Sequence, residues 1–264
     1  MYDMHVHSDF SIDTDILMED MVKSAVEKNG KTICFTDHVE FGVGPEKIDV
    51  VFRTEDFFKK FRQLRYSYAD RIEILAGAEL GLQPGELDKY RDFSVSAPFD
   101  FLIAAIHTVR HMDVYSELIR RYPTDEALRM YYEDMLECVT EFDNFDALAH
   151  IDYIDRYLPQ GTVLPAFDEY RAYVEPVLSV LIEKGKALEV NTGGLRRLDY
   201  AHPKTEILKL YAQMGGEILT FASDAHKPAD IYYEYRSTEK MLKELGFKYI
   251  FKYKERKKYP IHLM

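Results

Sequence analysis

Early in the chain, within the run Tyr2-Asp3-Met4-His5-Val6-His7, two histidines are separated by one residue. Side chains alternate across a β-strand, so residues i and i+2 share a face and two imidazoles in this spacing can converge on one point. Neutral imidazole is a ligand for divalent metals. An isolated His-x-His is more often a pair of polar residues on an edge strand. This pair is not isolated: six of the nine histidines, His5, His7, His38, His107, His150 and His226, fall at or just beyond the end of a short apolar run, and Glu79 and Asp224 end such runs as well. Eight nitrogen and carboxylate donors are too many for one ion of roughly four to six coordination, so the pattern implies two or three divalent ions. Without thiolates, the candidates are zinc, iron and manganese.

The elements that must carry these donors repeat as strand, then helix. Apolar runs predict strands ending at His7, 31–38, 72–79, 101–107, 145–150, 186–191 and 216–224. Between them, helical periodicity covers 15–30, 54–71, 86–93, 124–143, 168–184 and 204–214, with a last helix at 237–245. Asp168 and Ser237 are expected N-caps, and Gly30, Gly215 and Gly246 expected C-caps. Gly42, Gly44 and Pro45 predict a loop. Seven strands alternating with helices mean parallel pairing through right-handed crossovers. An open doubly wound sheet places its site at one crevice, fed by few strands. Here all strands but 186–191 end in a donor, and only a closed ring brings every strand end to one mouth. The expected fold is therefore an α/β barrel with a metal cluster at the C-terminal mouth of its strands, formed by residues 1–264 as a single domain.

Composition narrows the function. The chain has 47% apolar and 30% charged residues, which fits a folded globular protein rather than a disordered one. No run reaches the roughly 20 apolar residues that span a bilayer, and no signal peptide is recognisable, so a cytoplasmic protein without membrane association is expected. Cys34 and Cys138 fit reduced core residues. The net charge of −12 disfavours a phosphate backbone, and hence a nuclease, but leaves room for a small anion where metals and arginines gather.

Taken in order, Asp3-Met4-His5-Val6-His7, Thr36-Asp37-His38, Gly77-Ala78-Glu79, His107, His150 and Ser223-Asp224-Ala225-His226 resemble the motifs of the polymerase and histidinol phosphatase (PHP) superfamily. The resemblance covers nearly the whole chain. It implies a distorted (β/α)7, TIM-like barrel with a trinuclear centre: His5, His7, Glu79 and Asp224 on one metal, Glu79 bridging to a second with His107 and His150, and His38, His226 and Asp13 on a third. Many relatives have histidine where this chain has Asp13, and Asp9 and Asp15 compete for that role. Ser96–His107, His150–Tyr157 and Ala187–Thr192 are most similar to the histidinol-phosphate phosphatases. That likeness implies a histidine-biosynthetic enzyme hydrolysing L-histidinol phosphate, and relatives with the same metal motifs imply phosphotyrosine protein or another small phosphoester as the alternative. A binding module with purely structural metals is the reading from outside enzymology.

Phosphomonoester hydrolysis requires charge neutralisation and a nucleophile, which paired divalent ions supply by lowering the pKa of water. Arginines add bidentate hydrogen bonds to phosphoryl oxygens. Arg156 and Arg197, in loops after the 145–150 and 186–191 strands and matching arginine positions of the family, are the expected phosphate ligands, with Arg196 as the neighbouring alternative. Asp224 and His226 are the candidates for passing a proton to the leaving group. Asp37 is expected to fix a neighbouring ligand, and Glu40, His111 and His202 lie in loops where they could meet the organic half of the substrate. His262 is read as incidental.

Overall fold

A computed structural model describes residues 1–158 and 165–264. Seven parallel strands, β1 (Tyr2–Val6), β2 (Thr32–Phe35), β3 (Glu73–Gly81), β4 (Phe101–Ala105), β5 (Ala147–Leu148), β6 (Ala187–Asn191) and β7 (Leu219–Ala222), lie side by side in chain order. The sheet curls until β1 meets the chain leaving β7: Val6 bridges Ala225, the His7 amide donates to Ala225 O at 2.9 Å, and the Asp224 amide to His5 O at 2.9 Å. The result is the nearly closed barrel expected from the convergence of strand ends. Helices α1 (Met18–Glu27), α2 (Thr54–Ser67), α3 (Leu87–Ser94), α4 (Thr124–Glu141), α5 (Phe167–Glu183), α6 (Thr205–Gln213) and α7 (Tyr235–Glu244) follow the successive strands.

Alternation divides each strand between two environments. On β3, Ile74, Ala76, Ala78 and Leu80 face outward into the core that holds Phe57, Phe58, Phe61 and Leu64 of α2. Each large side chain among them, such as Ile74, Leu80 or Phe57, contributes about 1.5–3 kcal/mol over its exposed state. The inner face begins with an apolar floor of Met4, Cys34, Leu75, Phe101, Ile103, Ala147 and Ala187. The same rows continue to Glu79 on β3 and Glu189 on β6 at the mouth, so one alternation builds both floor and site.

β1 departs from simple alternation. Its register against β2 shifts between Asp3 and Val6, a bulge that places two residues against one. Met4 can therefore join the floor while His5 and His7 still point into the barrel. Asp3 turns the other way and accepts the Ser223 and Tyr232 amides at 2.9 and 3.0 Å, fastening β1 to the end of β7. Burial raises its carboxyl to about 6.

Three hairpins were not visible as periodicity, the shortest pairing Thr108–Val109 with Met112–Asp113. The predicted loop at Gly42–Pro45 is the turn of an antiparallel pair, His38–Val43 with Ile48–Val51, whose first strand also pairs with β3 in parallel. Gly44 opens the turn with φ of +71°, and Gly42, with φ of +70°, sits at the register shift between Glu40 and Val43. Tyr249–Lys254 and Lys257–His262 form a second hairpin across the opposite end of the barrel. Tyr253 packs on Phe101 with ring centroids 5.0 Å apart, Lys254 pairs with Glu73 at 3.1 Å, and the Arg256 Nε donates to Asp146 Oδ2 at 2.5 Å.

Several expected caps move. Gly215 and Gly246 do follow their helices in left-handed conformation, with φ of +88° and +93°. After α1, however, the left-handed residue is Asn29 at +57°, and Gly30 is needed because a Cβ there would overlap the Tyr232 ring. Asp168 and Ser237 sit one and two residues inside their helices rather than at the caps. α1 is capped from a distance by Asp9, whose Oδ1 accepts the Met18 amide at 2.9 Å, leaving Asp15 exposed.

Candidate metal centre

All nine predicted donors meet at the mouth. Three groups bring their ligand atoms close together: His5, His7 and Asp224; His38, Glu79 and His107; and His7, Asp13, His38 and His226. Glu79 is central. Its Oε2 lies 3.0 Å from His38 Nδ1, 3.3 Å from His5 Nε2 and 3.6 Å from His7 Nε2, and its Oε1 lies 2.9 Å from His150 Nε2 and 3.4 Å from His107 Nε2. Asp224 Oδ1 lies 3.2 Å from His7 Nε2 and 3.6 Å from His226 Nδ1. Asp13 Oδ2 reaches His226 Nε2 at 2.8 Å and His38 Nε2 at 3.6 Å, so of the three rival aspartates it is the one beside histidines. His150 stands on the far side of Glu79, hydrogen-bonded to it and outside the three tight groups.

The donors fit divalent ions on the structure's own terms. Glu79 Oε2 and His38 Nδ1 stand 3.0 Å apart and His226 Nε2 lies 2.8 Å from Asp13 Oδ2, yet none of these three buried atoms makes a hydrogen bond of good geometry among the described residues. Buried polar atoms in folded proteins are almost always satisfied. A knot of orphaned lone pairs aimed at one another is what a cation would resolve. Asp224 and His150 also take left-handed φ, +52° and +21°, conformations that cost roughly 1–3 kcal/mol and collect at functional sites.

The charge balance follows from burial. Burial pushes the Glu79 carboxyl up, but His5, His38 and His107 outweigh it and hold the group well below the usual range. Burial pushes His107 down, but Glu40 and Glu79 prevail and raise it to about 10. For His7 the balance goes the other way: burial, with His226 and His38 beside it, outweighs the bond to Asp224 and pushes it down to about 3.

A shell of acceptors fixes ring orientation. His7 Nδ1 donates to Ser11 Oγ at 2.9 Å, and Ser11 donates onward to Asp37 at 2.9 Å, so Asp37 acts on its ligand through a serine that sequence reading passed over. Glu40 is not free for a substrate. It accepts His107 Nδ1 at 2.6 Å. His111 is engaged by Gly42 O at 2.8 Å, and His202 is buried against Asp152 at 2.7 Å, so neither is placed as a free contact for substrate. The largest omission is Glu189. The β6 strand was read as ending without a ligand, but its buried Glu189 accepts His5 Nδ1 at 2.8 Å and Asn191 Nδ2 at 2.9 Å. The alternation Ala187, Glu189, Asn191 on one face was the available signal. Such outer carboxylates fix the tautomer and basicity of a ligating imidazole.

Beside the cluster opens a cavity of about 530 Å³, lined beyond the metal donors by Tyr153, Arg156, Tyr157, Arg197, Lys227 and Asp230. Arg156 Nη1 lies 3.9 Å from Asp224 Oδ2, and its Nε is buried without a partner among the described residues. Arg196 also reaches the cavity, but its Nη1 and Nη2 donate to Ser223 O and Asp224 O at 2.8 Å each, which holds the left-handed Asp224 peptide in place.

A closed ring of parallel strands bearing this cluster defines the class. The PHP domain model matches residues 3–193, and the chain belongs to that family. Within the family it resembles histidinol-phosphatases over nearly its whole length. It is 31% identical over 252 residues to the histidinol-phosphatase of Lactococcus lactis, covering 93% of this chain and 91% of the relative. A Thermotoga maritima protein named as a probable histidinol-phosphatase is 32% identical over 251 residues, with 95% and 94% covered. The crystal structure of the Lactococcus lactis histidinol phosphate phosphatase, complexed with zinc, L-histidinol and phosphate, aligns with a TM-score of 0.86 at 29% identity over 98% of both chains. Among the described residues, no helix is long and apolar enough to cross a membrane.

Proposed function

We propose that this chain is a metal-dependent phosphomonoesterase that hydrolyses L-histidinol phosphate to L-histidinol and phosphate. The observation that carries the chemistry is the set of donor groups gathered around Glu79 beside an arginine-lined cavity. The substrate rests on the full-length likeness to histidinol-phosphatases. In this reading His5, His7, Asp13, His38, Glu79, His107, His150, Asp224 and His226 hold two or three divalent ions, of which zinc, iron and manganese suit the donors. Bound there, the ions supply charge neutralisation and an activated water.

The remaining steps belong to side chains. Arg156 and Arg197 line the same cavity and would grip phosphoryl oxygens as charge builds in the transition state. Arg196 keeps Asp224 in position from behind. His226 and Asp224 both line the cavity within reach of a departing oxygen. Since both are metal donors in this reading, either would pass the proton to the leaving oxygen through a water molecule rather than hold it on the ligating atom. Tyr153 and Tyr157, hydrogen-bonded hydroxyl to hydroxyl at 2.8 Å, offer an aromatic wall to the leaving group.

The deciding assay is phosphate release from histidinol phosphate, phosphotyrosine and a nucleoside monophosphate by metal-replete and chelator-stripped protein. Preference for histidinol phosphate, lost on stripping and restored by metal, is the expected result. Equal turnover of phosphotyrosine would shift the substrate to the alternative class, and no turnover with any metal would leave a binding module.

A further inference from the structure

Behind the two arginines lies a buried polar network that plays no part in holding metal. Asp152 and Asp155 sit in the turn that carries Arg156, and Tyr200, His202 and Lys204 in the segment that follows Arg197. Asp152 Oδ1 accepts His202 Nδ1 at 2.7 Å, and its Oδ2 accepts the Lys204 amide at 2.8 Å. Asp155 Oδ2 pairs with Lys204 Nζ at 2.6 Å and accepts the Tyr200 hydroxyl at 3.2 Å. The His202 backbone meanwhile exchanges both its hydrogen bonds with Asn191 at the end of β6, at 2.6 and 2.9 Å. Its ring lies so close to Gly194, in the turn before Arg197, that a Cβ there would come within 3.0 Å of Cδ2.

The network thus ties one arginine loop to the other through four side-chain bonds. Asp152, Asp155 and His202 are 0%, 4% and 1% exposed. Removing one partner from a buried charged pair is strongly destabilising, so the cross-links hold a single geometry. Two guanidiniums that must meet the oxygens of one phosphoryl group depend on their separation, since a misplacement of about 1 Å is enough to cost a hundredfold in rate.

We propose that Asp152, Asp155, His202 and Lys204 are positioning residues that set the spacing of Arg156 and Arg197 and thereby the affinity of the site for a phosphoryl group. The inference rests on the reading that those arginines bind phosphate.

The test is calorimetric titration of the metal-loaded full chain with inorganic phosphate, with metal content measured on each variant. His202→Leu and Lys204→Met are expected to weaken phosphate binding at least tenfold at unchanged metal content. His202→Asn, which keeps a donor near the Nδ1 position, is expected to recover most of it. Arg256→Ala, at the opposite end of the barrel, serves as a variant that loses stability without touching the network and is expected to bind phosphate as the parent does. Lys204→Met alone suffices where His202→Leu does not fold. Phosphate affinity within twofold of the parent in the network variants, or an equal fall in Arg256→Ala, would overturn the proposal. A metal-loaded parent that takes up no phosphate would instead overturn the phosphate reading itself.

Discussion

Replacing Glu189 with glutamine tests whether the carboxylate shell governs the metal centre, and its effect can be worked out from hydrogen-bond inventory. The carboxylate accepts from His5 Nδ1 with one oxygen, and from Asn191 Nδ2 with the other, which also lies 3.4 Å from the His150 amide. Glutamine has the same shape but only one acceptor. If its oxygen faces His5, its amide group confronts two donors. If it is flipped, it confronts His5 Nδ1, which must then give up its proton to Nε2, the nitrogen aimed at Glu79 and His7. Either arrangement leaves a buried group unsatisfied, at about 1–3 kcal/mol. At about 1.4 kcal/mol per decade, that corresponds to roughly a ten- to hundredfold loss of metal affinity at the site containing His5. Competition of stripped protein with a chromophoric chelator for zinc reads this directly, site by site. Unchanged affinity at every site, in a variant that melts like the parent, would refute the reasoning.

Three further outcomes are expected. Gly81→Ala would place its Cβ 1.8 Å from Glu40 Oε2, so Glu40 must move and release His107; metal content and phosphatase turnover should both fall by at least tenfold while circular dichroism stays near the parent's. In chelator-stripped protein, Glu79 is held below its ordinary value of 4.5, so its stabilisation is present above that pH and is lost on acidification. His107 is raised from 6.5 to about 10, so its stabilisation is full below 6.5 and is lost as pH climbs through about 10. These two groups make stripped protein lose stability both on acidification below about pH 4.5 and as pH climbs from 6.5 to about 10, and thermal melts flat across both ranges would contradict the assigned ionisations. Arg256→Ala removes a partner of buried Asp146 and should lower stability by about 1–3 kcal/mol in denaturant titration without changing metal stoichiometry.

The residues most legible in sequence were those that interrupt an apolar run. A histidine or carboxylate at the end of a buried strand contradicts its surroundings, and the contradiction itself pointed to the mouth, from His5 to His226. Glu189 went unread because it lies within its strand rather than at its end, where alternation was the only cue. Ser11 and Glu40 act through a ligand's far nitrogen, and no spacing rule links them to it. The bulge at Met4 and His5 is set by pairing with β2, which the local sequence does not announce. The hairpin at 249–262 was missed because its second strand is mostly exposed, carries Pro260 and lacks a period of two, so the hydrophobic pattern that marks a buried strand is absent. In sequence Arg197 was preferred to its neighbour Arg196 on the family's arginine positions alone. In the structure Arg196 is engaged by the carbonyls of Ser223 and Asp224 and lies 3.6 Å from Asp230.

The closure of the ring has a consequence for how the protein is made. β1 leaves the ribosome long before β7, yet its second neighbour is residue 225 and its histidines face Asp224 and His226. Until that stretch emerges, the nascent sheet has two open edges and an unbalanced group of imidazoles at its mouth, and until 249–262 follow, its floor is uncovered. Long-range pairings of this kind slow folding and leave edges able to template aggregation. Fragments that stop short of residue 226 should therefore be insoluble rather than partly active, and acquisition of metal waits until β1 and the stretch from Asp224 to His226 meet.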